Sequence, residues 1–214
     1  RHSFPTRRSS DLEKMGKRMA LALGGGAIAA GAAIFKIGTE YRSSLNEFQA
    51  VSGATTEQME RVRTTAKALG ADMTLPATSA GGAAKAMTEL AKAGLTVDQA
   101  MKAAKGTLTL AAAAQIDEAK AAEISANALN AFHLSASQAG MVVDTLANVA
   151  NASSVSIGDV ADASAQASAV WSTMQGAVAG NEAAFKSLNV QIGLLGNIGM
   201  KGSDAGTSLK QSLL

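Results

Sequence analysis

What most constrains this chain is a punctuation that recurs along it: a hydroxyl residue, Gln or Asp three positions later, an apolar stripe, then Gly. Thr55-x-x-Gln58 and Thr96-x-x-Gln99 are capping-box patterns, in which side chain and backbone at a helix start satisfy each other's orphan groups. Ser135-x-x-Gln138 and Ser156-x-x-Asp159 open two further segments in the same way. Between the caps, apolar residues return every three or four positions, the period of a helix with one face in a core. Val and Ile do not alternate with polar residues, so no strand is expected. The predicted fold class is all-α: a series of short amphipathic helices and helical hairpins, preceded by a Gly/Ala-rich hydrophobic helix.

The stripes set the expected elements. Tyr41 to Gly53 carries Leu45, Phe48 and Ser52 on one side. The helix after Thr55 carries Met59, Val62, Ala66 and Leu69, with Gly70 as its C′ residue. Pro76 falls in the next loop, and a helix over 79–93 carries Ala83, Met87 and Leu90 and stops at Gly94. The Thr96 helix is expected to end at Gly106, with a longer one running on to Phe132. Val142, Leu146 and Val149 mark the Ser135 helix, and 151–156 reads as a polar loop. A long helix to Gly180 carries Val160, Ser164, Ala167, Trp171, Met174 and Val178. A helix over 182–197 stops at Gly199, and Ser203 caps a last one.

The apolar content is mostly Ala, which favours helix but buries little surface. Outside the first twelve residues the aromatics are Phe35, Tyr41, Phe48, Phe132, Trp171 and Phe185. Such a chain is expected to pack long helices closely without a thick core of its own. The stripes over 142–149 and 160–178 are therefore expected to need a partner, with self-association the first candidate.

Residues 1–12 lack an initiator Met and resemble a translated sequencing-library adapter joined to a partial reading frame. They are set aside as a non-native leader, and the natural protein is expected to extend at both ends. Without Arg1, Arg7, Arg8 and Asp11, the 19 basic and 17 acidic residues become equal in number and the net charge of +2 falls to zero. The leader thus accounts for much of the sequence pI of 8.9. A neutral chain with scattered charge lacks the footprint of a nucleic-acid binder. With no Cys, disulfides, thiolate metal sites and Cys nucleophiles are excluded.

Residues 13–37 form a separate region. Met19 to Phe35 is uncharged and sits between Lys17-Arg18 and Lys36. It is slightly shorter than the roughly 20 apolar residues that span a bilayer. Gly25/Ala29 and Ala27/Gly31 have the small-xxx-small spacing of close helix contacts. Two readings stay open: a membrane-inserting helix, or a Gly-interrupted helix buried in an assembly.

No residue set carries catalysis, a cofactor or a metal. His133, the one His outside the leader, is read as a helix-end residue favoured by the dipole. Asp117, Glu118 and Glu123 are read as a solvated helix face paired with Lys120, because the Asp-x-Asp-x-Asp-Gly spacing of a calcium loop is absent. Gly24-Gly25-Gly26 is followed by no Lys-Ser/Thr and is not a phosphate loop. There is no Gly-x-Ser-x-Gly elbow. Trp171 and the Met residues (Met59, Met87, Met101, Met174) fall on apolar stripes and are read as packing.

The pattern Leu69-Gly70, Thr74, Ser79-Ala80, Ala84, Met87, Leu90-Ala91, Ala93-Gly94 resembles that of phage tail tape measure proteins. Leu110 to Ala113, and Leu129-Asn130-Ala131-Phe132 running into Asp144-x-Leu146-Ala147, continue it. Asn151-Ala152-Ser153-Ser154-x-Ser156 is similar to the family's polar loop. Gly199-Met200-Lys201-Gly202-Ser203-Asp204-Ala205-Gly206-Thr207-Ser208-Leu209 is similar to its closing segment, the most specific part. His133 stands where Gly is usual, and Pro76 and Gly81-Gly82 replace expected aromatic and acidic residues. The resemblance covers roughly 40–214 and implies a core over 38–214 that continues past Leu214. It implies a structural role inside the tail tube of a phage or prophage: setting tail length during assembly in the host cytoplasm, then leaving before DNA passes. The implied partners are tail-tube subunits, tail assembly chaperones, baseplate proteins and copies of the chain itself. Host membrane contact through 19–35 during genome delivery is implied too. The alternatives are a membrane-active pore-forming or colicin-like module, and a tail-associated enzyme whose catalytic part lies elsewhere in the gene.

Overall fold

The computed structural model describes residues 26–75 and 78–212, with side chains from residue 38 onward except 172–179. Among them are nine α-helices and no strand. They are α1 (Gly26–Ser52), α2 (Thr56–Gly70), α3 (Ala80–Lys92), α4 (Val97–Ala114), α5 (Glu118–Ala131), α6 (Ala139–Ala152), α7 (Ile157–Ala179), α8 (Asn181–Asn197) and α9 (Gly202–Ser212). A 3₁₀ turn, Ala136–Gln138, leads into α6. The leader, residues 13–25 and Pro76 lie outside the described residues. Residues 26–35 begin α1. No described helix is long and apolar enough to cross a membrane, so the described part of 19–35 gives the spanning expectation no support.

The caps read from the sequence form. Thr55 and Thr96 make reciprocal capping boxes with Gln58 and Gln99. Ser135 N donates to Gln138 Oε1 at 2.9 Å. Ser156 Oγ accepts from Asp159 N at 3.1 Å. The corners between α3 and α4 and between α5 and α6 share one chemistry. A left-handed residue, Gly94 or His133, follows the helix, and the next Leu reaches back. Leu95 N donates to Leu90 O at 3.1 Å, and Leu134 N to Leu129 O at 2.8 Å. These are the six-to-one bonds of a Schellman stop.

Two glycines act differently from expectation. Gly106 does not end a helix: α4 runs through it to Ala114, and the real break is Gln115, left-handed at φ 55°. A Cβ on Gly106 would meet Ala139 C at 2.7 Å and Gly140 N at 2.8 Å. The residue is there so that α6 can start against the backbone of α4. Likewise Gly70 is the last residue of α2, followed by a right-handed Ala71 cap. A Cβ on Gly70 would lie 2.4 Å from Ala80 N, so it admits α3 instead of supplying a left-handed stop. Three smaller boundaries also move. Asp117 is the N-cap of α5 and not part of a long middle helix, α6 extends to Ala152 into the expected loop, and Ser203 lies in the first turn of α9 instead of capping it.

The core is thicker than the composition suggested. Phe48, Met59, Met87, Leu90, Leu108, Leu110, Phe132, Leu146, Phe185, Leu188 and Ile192 are fully buried in one cluster, interleaved with buried alanines such as Ala83, Ala84, Ala103, Ala104 and Ala122. Helices faced with Ala and Gly approach closely, so few large side chains fill the space between them. α3 sits among α1, α2, α4 and α5, while α7 packs against α5, α6, α8 and α9. Phe132, after α5, meets Phe185 on α8 edge-to-face at 5.2 Å and joins these two groups. The expectation that the 142–149 and 160–178 stripes await a partner is corrected for the members that the chain itself buries. Val142, Leu146, Val160, Ala167 and Trp171 are buried within this one chain, and Trp171 Nε1 donates to Ser187 Oγ at 3.2 Å. The side chains of Met174 and Val178 are not among those described.

Candidate interaction surface

Asp117, Glu118 and Glu123 each make a capping bond or an ion pair. Asp117 Oδ1 accepts the Lys120 amide at 2.8 Å, and this capping bond holds its carboxyl below the usual range. Glu118 pairs with Lys85 of α3 at 3.4 Å, and Glu123 with Lys120 at 3.2 Å. His133 is exposed, at φ 49° in its corner, and its amide donates to Asn130 O at 3.2 Å. Among the described residues no group of three or more His, Asp or Glu could hold a metal ion.

Between α5 and α7 lies a crevice of about 50 Å³, floored by Phe132, Leu146 and Phe185 and rimmed by Lys120, Glu123 and Asp162. It has room for a few waters and falls far short of the roughly 300–1,000 Å³ of a small-molecule site.

The feature that stands apart is apolar and lies along α8 and its C-cap residue. Val190, Leu194 and Ile198 recur every four residues and are 53%, 56% and 74% exposed. The opposite face of α8 holds Phe185, Leu188 and Ile192, all fully buried. The helix is thus apolar on two sides, more than its own core requires. From Ser187 to Met200 there is no charged residue, and from Thr145 to Gly158 none either. These two runs meet in a groove between α6 and α8 lined by Val149, Ala152, Ser153, Val190, Gly193 and Leu194. Gly193 brings the helices together: a Cβ there would meet Val149 Cγ1 at 2.9 Å. Sequence reasoning placed this helix but not its outward stripe. The available signal was the excess of apolar residues over one face.

A second exposed apolar side chain is Met73, 98% exposed in the α2–α3 connection. It is held out by a built turn. Asp72 Oδ1 accepts from Thr74 N at 2.9 Å, and Leu75 N donates to Asp72 O at 3.0 Å. Leu75 anchors the turn in the core. Lys105 Nζ reaches Asp72 Oδ2 at 2.9 Å, and that bond is the first cause of a carboxyl held well below its ordinary range.

An exposed apolar patch of this kind suits a protein that works by contact. Comparison with known proteins agrees. The chain is 36% identical over 204 residues to the tape measure protein of Pneumococcus phage Dp-1, an overlap covering 95% of this chain and 17% of that protein. No solved structure matches it. The sequence model of a family described as phage-related minor tail protein matches residues 63–214, from within α2 past the end of α9, and the chain belongs to that family.

Proposed function

We propose that this domain is a folded structural element of a phage tape measure protein, acting in tail assembly and the setting of tail length. The observation that carries the reading is the uncharged stripe Val190–Leu194–Ile198 beside the α6–α8 groove. A surface of that kind suits docking against another tail component. The tail lumen is the corresponding location, with tail-tube subunits, assembly chaperones and baseplate proteins the candidate partners. The similarity to the Dp-1 tape measure protein supports this reading over a pore-forming module.

The test is a phage whose tape measure gene carries an in-frame deletion of residues 38–212. Tails of altered length, or none at all, are expected in electron micrographs. Wild-type tails in wild-type numbers would overturn the proposal.

A further inference from the structure

We propose that α9 is a releasable strap that melts off α7 as a unit while α1–α8 keep their fold. This inference does not depend on the tail reading. The buried residues of α9 are Gly202, Ala205 and Gly206, and Leu209 is half-buried. Other helices are anchored far more heavily: α8 buries Phe185, Leu188 and Ile192, and α3 buries Met87 and Leu90. Hydrophobic stabilisation follows the apolar area removed from water, and Gly and Ala remove little. Among the described residues no ion pair ties Asp204 or Lys210 to another element.

What holds the strap is close backbone approach. A Cβ on Gly206 would lie 2.4 Å from Ala163 O and 2.7 Å from Gln166 Cβ. At its start Gly202 faces Asp159 and further along Gly206 faces Ala163, so α9 runs parallel to α7. Once off α7 it has little to keep it helical, because Gly202, Ser203, Asp204, Gly206, Thr207 and Ser208 are poor helix formers.

The connection is built to swing. Gly199 and Gly202 are both left-handed, at φ 93° and 52°, with Met200 and Lys201 between them. Glycine moves between conformations at small cost, so this short segment can redirect the chain. α8 does not need α9 to end. Met200 N donates to Leu195 O at 3.0 Å and Gly199 N to Gly196 O at 3.1 Å, a complete stop before the second hinge glycine. Release bares the Ala163 and Gln166 side of α7, a small-residue face that another helix could approach as closely as α9 does.

The test is amide hydrogen exchange, read by mass spectrometry on the 214-residue chain across sub-denaturing urea. Peptides from α9 are expected to exchange at least ~100-fold faster than those from α3 and α5, because local openings span the whole range below global unfolding. The α9 rate should hardly respond to urea, since a local release exposes little surface, whereas α3 and α5 should show the full denaturant slope. Gly206→Val should bring residues 202–212 to the unprotected rate and leave α3 and α5 as they were. If α9 exchanges in wild type at the α3 and α5 rate with the same urea slope, the strap does not exist. Simultaneous deprotection of all peptides in Gly206→Val would likewise overturn it. The urea slope decides the matter without any variant.

Discussion

Ser164 on α7 donates its hydroxyl to Asn189 Oδ1 on α8 at 2.7 Å, in a region where both residues are buried. Asn189 Nδ2 in turn donates to Phe185 O at 2.8 Å. This polar pair ties together the two helices that carry the strap and the exposed stripe. Removing one partner strands the other away from water, which costs about 1–3 kcal/mol, whereas replacing both by apolar groups of similar shape is close to neutral. Asn189→Leu and Ser164→Ala should therefore each lower stability in urea unfolding by that amount. Ser164→Ala combined with Asn189→Leu should lose less than the two single changes together. Strict additivity would mean that the pair is not coupled.

His133 occupies a left-handed position that its counterpart corner gives to Gly94. A Cβ in that conformation costs roughly 1–2 kcal/mol, partly offset because Gly loses more freedom on folding. His133→Gly should raise stability by about 0.5–1 kcal/mol, and Gly94→Ala should lower it by a similar amount. A lower urea midpoint for His133→Gly would show that the imidazole makes a contact worth more than the backbone penalty.

The carboxyl of Asp72 is held low by Lys105 first and then by Thr74, and that of Glu182 by Lys186. A folded pKa below the unfolded one means stability that is fully present above the ordinary carboxylate range, near pH 4, and lost as pH falls through the folded value. Both groups reach solvent, so salt should weaken the effect. Asp72→Asn should flatten the acid side of the stability profile below about pH 4 at low salt and leave neutral pH less affected by further acidification. An unchanged acid limb would mean that Lys105 and Asp72 are not paired in solution.

The stripe on α8 allows a separation of folding from assembly. Leu194 and Ile198 are more than half exposed, and surface changes of this kind usually stay within about 0.5 kcal/mol. Leu194→Lys with Ile198→Lys should leave the unfolding midpoint nearly unchanged while sharply reducing the yield of complete tails. Normal tails from the double variant would remove this face as a docking surface.

The helices were legible because caps and stripes are local. Thr55, Thr96, Ser135 and Ser156 state in four residues where a helix starts, and that information survives without knowledge of the fold. Glycine carries no such local meaning. Gly94 and Gly199 stop helices through left-handed backbone, but Gly106 and Gly70 are helical and make room for the start of another helix. The same limit hid the break at Gln115, because Ala111 to Ala114 and the residues after Asp117 all favour helix and only the Asp117 cap marks the boundary. The exposed stripe and the self-sufficient core were hidden for a related reason. Which apolar face of α7 or α8 turns inward depends on how α5, α6 and α9 pack around them.

The closing segment, Gly199 to Leu209, holds two left-handed glycines and the close backbone contact of α9 with α7. The packing of this domain bears on how it would contribute to tail length, the role proposed above. Strung out as one helix, residues 38–212 would span about 260 Å at 1.5 Å per residue. Folded as described, a unit of that size has a radius of gyration near 16 Å and a breadth of about 40 Å. The fold's many hydrogen-bonded corners and its buried Phe48, Phe132 and Phe185 argue for the compact form while the domain is isolated. A narrow tail lumen that forbids side-by-side helices would favour the extended one. The deletion of 38–212 separates them: tails shorter by about 260 Å mean that the bundle is pulled open inside the tube, and tails shorter by about 40 Å mean that it is counted as a folded bead. Tails absent altogether would assign the domain to assembly in place of measurement, and the Leu194→Lys, Ile198→Lys phage should then fail in the same way.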